Sequence, residues 1–273
     1  MSAAGGTLGA AVRAETVKAT TTWVWWGLLA IALALVAMNV GLFAALAPAD
    51  VGAAELFPLP LVTGVEGQLA VVGGGFQGGY LLAAVLGTLL ATSDHRSGTI
   101  APTYLAVPRR GRVALAKAVV AGGLGLVYGV AVQMASLAVA AVVLAVRGVD
   151  LVGLDELARP LLLGVLGTAV WALIGLAFGL LVRQQVVALV ALVLVVFLLD
   201  PLAGFVLSGV GQVGGVDLEV VGSYLLTNAS TAVVEGFTGA DLLPWWGGLL
   251  VLLAWATALG VLGWRTTLHR DVT

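Results

Sequence analysis

The sequence predicts an all-α membrane protein built as a six-transmembrane-helix bundle. Only 10% of its 273 residues are charged, whereas the surface of a water-soluble domain needs roughly a quarter or more. The mean hydropathy is +1.13, and several apolar runs exceed the ~20 residues that a helix needs to cross a bilayer. Because these runs do not alternate with a period of two, a transmembrane β-barrel is not expected.

Six apolar runs, separated by polar or glycine-rich segments, define the predicted spans. They lie at about Trp25–Ala47, Gln68–Ala91, Val119–Val146, Leu161–Val182, Val186–Leu207 and Trp245–Trp264. The third run is long enough to tilt or to protrude from the bilayer. No long internal repeat divides the chain, so residues 1–273 are predicted to form a single transmembrane domain.

The first span has an alternative interpretation as a cleavable signal peptide. Residues Ala45–Ala47 resemble a cleavage site, but Pro48 would directly follow the cut. The apolar run is also longer than the 7–15 residues typical of a signal core. We therefore expect this span to be retained.

The distribution of basic residues predicts the orientation. If the N-terminus is cytoplasmic, only Arg147 and Arg159 of the 12 Lys and Arg residues lie outside. The ten on the cytoplasmic side are Arg13, Lys18, Arg96, Arg109, Arg110, Arg112, Lys117, Arg183, Arg265 and Arg270. This excess follows the positive-inside rule and predicts a multi-pass membrane protein with both termini in the cytoplasm.

Several classes of chemistry are not predicted for this chain. There is no cysteine, which excludes a thiolate metal site, and the two histidines, His95 and His269, are far apart, so a His-rich metal site is not expected. The two lysines, Lys18 and Lys117, are each followed by alanine, so a P-loop is absent. We expect no catalytic residues, no metal and no cofactor bound by this chain.

Polar residues concentrate between the second and third spans, in the loop 93–117. Ser93 or Asp94 could cap a helix start, Gly98 permits a sharp turn, and Pro108 would break a helix before the arginines that follow. Such a loop could dock a soluble partner. Alternatively, its arginines only fix the topology and bind anionic headgroups.

The pattern of this loop resembles a known family. Asp94, Gly98-Thr99, Leu105, Pro108, Arg109/Arg110 and Lys117 resemble the acid–Gly-Thr–Pro–Arg–Lys signature of ABC-2 type transporter permeases, in particular their actinobacterial branch. The ending from Trp264 to Val272 is similar to the usual cytoplasmic end of these permeases. The predicted six-span plan, with both termini inside, is also that of the family.

The resemblance implies a partner and a set of site residues. In the family, the loop between spans two and three forms a coupling helix that lies in a groove of a separate cytosolic P-loop ATPase. This ATPase binds ATP and Mg. Two six-span subunits form a dimer. The candidate coupling residues are Asp94, Arg96, Gly98, Thr99, Pro108, Arg109, Arg110, Arg112 and Lys117. The family also has an interfacial helix before the first span. Residues Leu8–Thr22 match it only weakly, because Leu8, Val12 and Val17 make a poor apolar stripe.

The family's re-entrant helices between spans five and six correspond here to the mildly hydrophobic external region 208–243. A solvated loop would not need so many apolar residues, and this region is therefore expected to dip into the outer membrane face or to cap the bundle.

Four polar residues within the apolar runs are candidates for a translocation pathway: Asn39, Gln77, Gln133 and Asp200. For the three amides the alternative is interhelical hydrogen bonding. For Asp200 it is a position at the membrane interface, with Pro201 starting the re-entrant segment. The glycines of Gly73–Gly75 and Gly78–Gly79 are expected to let neighbouring helices approach closely or to let the span bend.

The resemblance thus predicts the permease subunit of an ATP-driven ABC-2 type exporter, and not an enzyme. We expect it to act as a homodimer with a cytosolic ATPase. The apolar spans favour a hydrophobic or amphipathic cargo such as a drug, lipid or peptide, and no nucleic acid partner is expected. One alternative is an ion-gradient-driven secondary transporter, which should show inverted repeats and charged midplane residues. The other is a non-transporting membrane anchor or sensor that recruits a cytosolic partner through the loop.

Overall fold

A computed structural model of the chain describes residues 7–49, 60–96, 110–182, 184–214, 218–235 and 243–268. In these ranges all regular elements are helices, which confirms the all-α class. They are α1 (Leu8–Thr20), α2 (Trp23–Leu46), α3 (Val65–Arg96), α4 (Arg110–Val146), α5 (Leu154–Leu181), α6 (Gln185–Leu194), a π-helical turn (Val195–Leu199), α7 (Asp200–Gly214), α8 (Glu219–Gly222), α9 (Leu226–Glu235) and α10 (Trp245–Leu268).

Six helices of this described part are long and apolar enough to cross a membrane, as expected for a multi-pass membrane protein. They are Trp23–Leu46, Val65–Asp94, Gly111–Val146, Leu154–Leu181, Gln185–Gly211 and Trp245–Thr266, and each overlaps one predicted apolar run. Several of these helices begin a few residues before the predicted apolar run that they overlap. In α5, for example, Asp155 and Glu156 lie in the first turn, where carboxylates interact favourably with the helix dipole.

Helix α5 is the centre of the bundle, and α3 contacts it backbone to backbone. A Cβ atom at Gly175 of α5 would lie only 1.8 Å from the carbonyl oxygen of Ala84 in α3. The hydroxyl of Thr88 donates a hydrogen bond of 2.9 Å to the carbonyl of Gly175. Only glycine permits this approach, which makes α3 and α5 one closely packed unit.

The glycine run of α3 also contacts its other neighbours, as predicted. A Cβ at Gly78 would lie 3.0 Å from the side chain of Val36 in α2, and one at Gly75 would lie 2.4 Å from Ser136 in α4. The Ser136 hydroxyl donates to the carbonyl of Val72 at 2.7 Å. The expected close helix approach is confirmed.

The fifth span continues through Asp200 and Pro201. The backbone N–H of Asp200 bonds to the carbonyl of Val195, five residues earlier, within the π-helical turn. Proline lacks an N–H and its ring clashes with the carbonyl four residues before it, and a π-turn relaxes that register. The chain does not leave the helix at Pro201, because α7 extends to Gly214; the alternative of a re-entrant segment that starts at Pro201 stays a prediction.

Helix α9, in the region between the fifth and sixth spans, packs into the bundle. Its residues Leu226, Ala229 and Val233 are at most 2% exposed. The indole of Trp171 in α5 donates a 2.9 Å hydrogen bond to the hydroxyl of Ser230. Helix α9 is thus packed against α5, and the expectation that the region 208–243 caps the bundle or dips into the outer membrane face stays a prediction.

Candidate functional site at the α1 face

The end of the bundle that carries α1 also holds the last turn of α3 and the first turns of α4, and it is called the α1 face here. Thr7 caps α1 by accepting the N–H of Ala10 at 3.3 Å. The buried residues of α1 are Ala11, Glu15 and Ala19, which lie four positions apart on one stripe. The helix therefore packs through two alanines and a glutamate, whereas Leu8 and Val17 of the weak stripe considered above are exposed.

Four charged side chains form a closed ring at this face. Lys18 contacts Glu15 at 2.8 Å and Asp94 at 3.1 Å. Lys117 contacts the other oxygen of each carboxylate, Glu15 at 2.8 Å and Asp94 at 2.9 Å. Positive and negative groups alternate, and the four formal charges sum to zero. We refer to these four residues as the charge ring.

Three members of the charge ring are almost fully buried. The side chains of Glu15, Asp94 and Lys117 are 6–7% exposed, whereas Lys18 is 41% exposed. Lys117 also donates to the carbonyl of Leu90 at 2.9 Å, so all three of its ammonium protons have acceptors. A buried charge is tolerated when it is paired and hydrogen-bonded in this way.

The pKa of Lys18 is raised above its ordinary value. Burial by itself would lower this pKa, but hydrogen bonds and charge attraction from Glu15 and Asp94 outweigh it. A raised folded-state pKa contributes stability below the unfolded-state pKa, and this contribution is lost only as pH rises through the folded-state value. Lys18 is therefore protonated throughout the physiological range.

The charge ring fixes both ends of the loop 93–117 relative to α1. Asp94 lies in the last turn of α3, and Lys117 lies near the start of α4. Sequence analysis placed these two residues in one loop signature, and the structure brings them into contact. The sequence analysis did not identify Glu15 and Lys18 as site residues. The available signal was an opposite-charge pair at i, i+3 on a helix that holds one of the chain's two lysines.

The other coupling candidates are described only in part. Gly98, Thr99, Pro108 and Arg109 lie outside the described residues, and Arg96 and Arg110 are described as backbone of α3 and α4 alone. Arg112 is half-buried in the first turn of α4.

The expected helix cap at Ser93 or Asp94 is wrong. Both residues lie inside α3, where the Ser93 hydroxyl donates to the carbonyl of Leu90 at 3.2 Å and Asp94 belongs to the charge ring.

Asp200 binds the start of α9. Its two carboxylate oxygens accept the backbone N–H groups of Leu226 at 2.8 Å and Thr227 at 2.9 Å. The carboxylate is buried, and the N-terminal end of a helix dipole favours a negative charge. This contact ties α7 to α9 and accounts for an acidic residue within the apolar run.

The three candidate amides differ in their surroundings. Asn39 and Gln77 are exposed on the surfaces of α2 and α3. Gln133 is 1% exposed and lies between Gly75 of α3 and Gly164 of α5. Neither amide atom of Gln133 has a hydrogen-bond partner within the described part of the chain, so the expected interhelical hydrogen bond is not formed there. Burying such a group unpaired costs about 1–3 kcal/mol.

Comparisons with known proteins add no assignment. The chain matches none of the protein-family models against which it was scanned, and a search of curated proteins finds no match. Among the described residues, no group of three or more His, Asp or Glu side chains could hold a metal ion.

Proposed function

We propose that this chain is the permease subunit of an ATP-driven ABC-2 type exporter. The observation that carries the proposal is the charge ring, in which the signature residues Asp94 and Lys117 meet each other and α1. Six helices able to cross a membrane support it as well. The proposed orientation places the α1 face and both termini in the cytoplasm of a plasma-membrane protein.

The charge ring gives the loop 93–117 a mechanical connection to the membrane helices. Breaking a buried ion pair by removing one partner costs about 3–5 kcal/mol, so a force on the loop would move α1, α3 and α4 together. From α3 the movement would pass to α5 through the close backbone contact in which Gly175 lies against Ala84. A displacement of the loop would thus reach the most buried helix of the bundle.

The proposed partner is a cytosolic P-loop ATPase that binds ATP and Mg and seats the loop 93–117. A second copy of the chain completes the pathway, and the substrate is hydrophobic or amphipathic. This chain itself carries out no bond chemistry. Asn39, Gln77 and Gln133 remain the candidates for pathway contacts, whereas the two backbone hydrogen bonds to Asp200 favour a structural role there.

The test is a gentle detergent purification of the chain from its native host, with bound proteins identified by mass. We expect a stoichiometric soluble P-loop ATPase that is lost when residues 97–112 are replaced by a Gly-Ser linker of equal length. The control is a shorter Gly-Ser replacement, over residues 50–59, in the loop between the first and second predicted spans. If no ATPase is recovered with the intact chain, the exporter proposal is wrong.

A further inference from the structure

A pocket of about 580 Å³ opens at the α1 face between α1, the start of α2, the end of α3 and the start of α6. One part of its lining is polar: it includes Lys18, Thr21 and Ser93, together with the carboxylates of Glu15 and Asp94, both of which are paired with lysines. The other part is apolar and includes Leu86 and Leu89. Since α3 rises about 1.5 Å per residue, Leu89 and Leu86 lie roughly 7–12 Å further along α3 than the ring residue Asp94.

The charge ring is neutral as a whole, and Lys18 is its member with an accessible ammonium group at this pocket. Each oxygen of Glu15 and Asp94 contacts a lysine. Lys18 has three ammonium protons, and two of them point to ring carboxylates. Its side chain is 41% exposed, far more than the other three. The raised pKa of Lys18 keeps it protonated, so the polar end of the pocket offers a charged N–H donor to an anionic group.

Tryptophans place the polar end of the pocket at headgroup depth. Trp23 and Trp26 are 86% and 55% exposed and flank the pocket residue Val24. Exposed tryptophans are enriched where the hydrocarbon meets the polar headgroups. The lysine then lies at the level of lipid phosphates, and the leucine wall lies at the level of acyl chains.

We propose that this pocket binds a phospholipid of the surrounding leaflet. The phosphate is held by Lys18, and the first part of an acyl chain lies along Leu86 and Leu89. The lipid contacts α1 and α6 at once and fills the gap between them. This inference does not depend on the proposed function, because an exporter, an anchor and a secondary transporter could each hold such a lipid.

The first test uses the unaltered full chain in detergent, with retained lipid counted by native mass spectrometry. A charged hydrogen bond contributes enough for a preference of about tenfold or more. We therefore expect one diacyl phospholipid to be retained at least about tenfold better than diacylglycerol of the same chains, and not to be displaced by inorganic phosphate. Equal retention of diacylglycerol would contradict the phosphate contact, and displacement by inorganic phosphate would assign the site to a free anion.

Variants locate the site. Leu89→Trp fills the apolar wall and is expected to abolish retention. Val130→Trp, at a position of α4 that is 53% exposed and outside the pocket, should leave it unchanged. Lys18→Arg should keep the lipid, and Lys18→Gln should weaken retention about tenfold. Unchanged retention in Leu89→Trp would overturn the proposal.

A labelling experiment avoids any change to the protein. A phospholipid with a photoreactive group on the acyl carbon nearest the glycerol is expected to label the peptide that contains Leu86–Leu90 in preference to others. Labelling spread evenly over the exposed surfaces of α2 and α10 would show only the bulk lipid annulus, and would contradict a specific site.

Discussion

Lys117 and Glu15 are 102 positions apart in the sequence, and their side chains are in contact at 2.8 Å, with 6–7% of each exposed. This pair ties α1, which precedes the first span, to α4, which begins at Arg110 within the predicted loop 93–117. Asp94 contacts the same ammonium group at 2.9 Å from the other end of the loop. The same four charges therefore hold α1 and both ends of the loop together.

Removal of Lys117 should destabilise the protein strongly. Lys117→Met removes a buried cation that contacts both Glu15 and Asp94, and breaking a buried ion pair by removing one partner costs about 3–5 kcal/mol. We expect a clear fall in the unfolding temperature of the purified protein in detergent. The control Arg13→Met changes an exposed residue of α1 and should leave that temperature unchanged. An equal unfolding temperature in Lys117→Met and the wild type would show that the ring does not contribute to stability.

Asp200→Asn should loosen the start of α9. An amide has one acceptor oxygen and no charge, whereas the carboxylate accepts two backbone N–H groups. We expect a loss of about 1–3 kcal/mol and faster hydrogen exchange at the amides of Leu226 and Thr227. Asp155→Asn, at an exposed position of α5, is the matched control. If exchange at these two amides were unchanged, the capping role of Asp200 would be refuted.

Gln133→Met should stabilise the bundle. Methionine has nearly the shape of glutamine, and it removes an amide that is buried without a hydrogen-bond partner in the described structure. Removing this unpaired buried amide should raise the free energy of unfolding by about 1–3 kcal/mol. The measurement is the unfolding temperature of the purified protein in detergent, which should rise. The neighbouring substitution Met134→Leu, on an exposed surface, should have little effect. A lower unfolding temperature in Gln133→Met would mean that the amide is paired in the folded protein.

The six spans could be predicted from the sequence because the apolar runs by themselves determine which segments enter a membrane. Their ends could not be placed as well. Helix α5 begins at Leu154, seven residues before the predicted start at Leu161, because charged residues can extend a helix beyond the hydrocarbon. A hydropathy profile marks only the apolar part of a helix and does not show the charged helical turns that extend it.

The charge ring could be predicted only in part. Asp94 and Lys117 stand out as charges at the ends of apolar runs, and the resemblance to a permease signature groups them. The stripe of Ala11, Glu15 and Ala19 is not apolar, so a search for hydrophobic periodicity overlooks it. The partners of Asp200 are backbone N–H groups of Leu226 and Thr227, which carry no side-chain signal that a sequence could show.

The most direct test of the central claim is ATP-dependent transport in liposomes that contain this chain and the ATPase that co-purifies with it. Glu15 lies outside the loop 93–117, so Glu15→Gln should leave ATPase binding intact while it removes one carboxylate from the charge ring. We predict that ATP drives transport by the wild type, and that Glu15→Gln lowers transport at least about tenfold with the ATPase still bound, while Arg13→Gln has no effect. Transport that needs no ATP would contradict the exporter proposal, and full transport by Glu15→Gln would contradict the role of the charge ring in coupling.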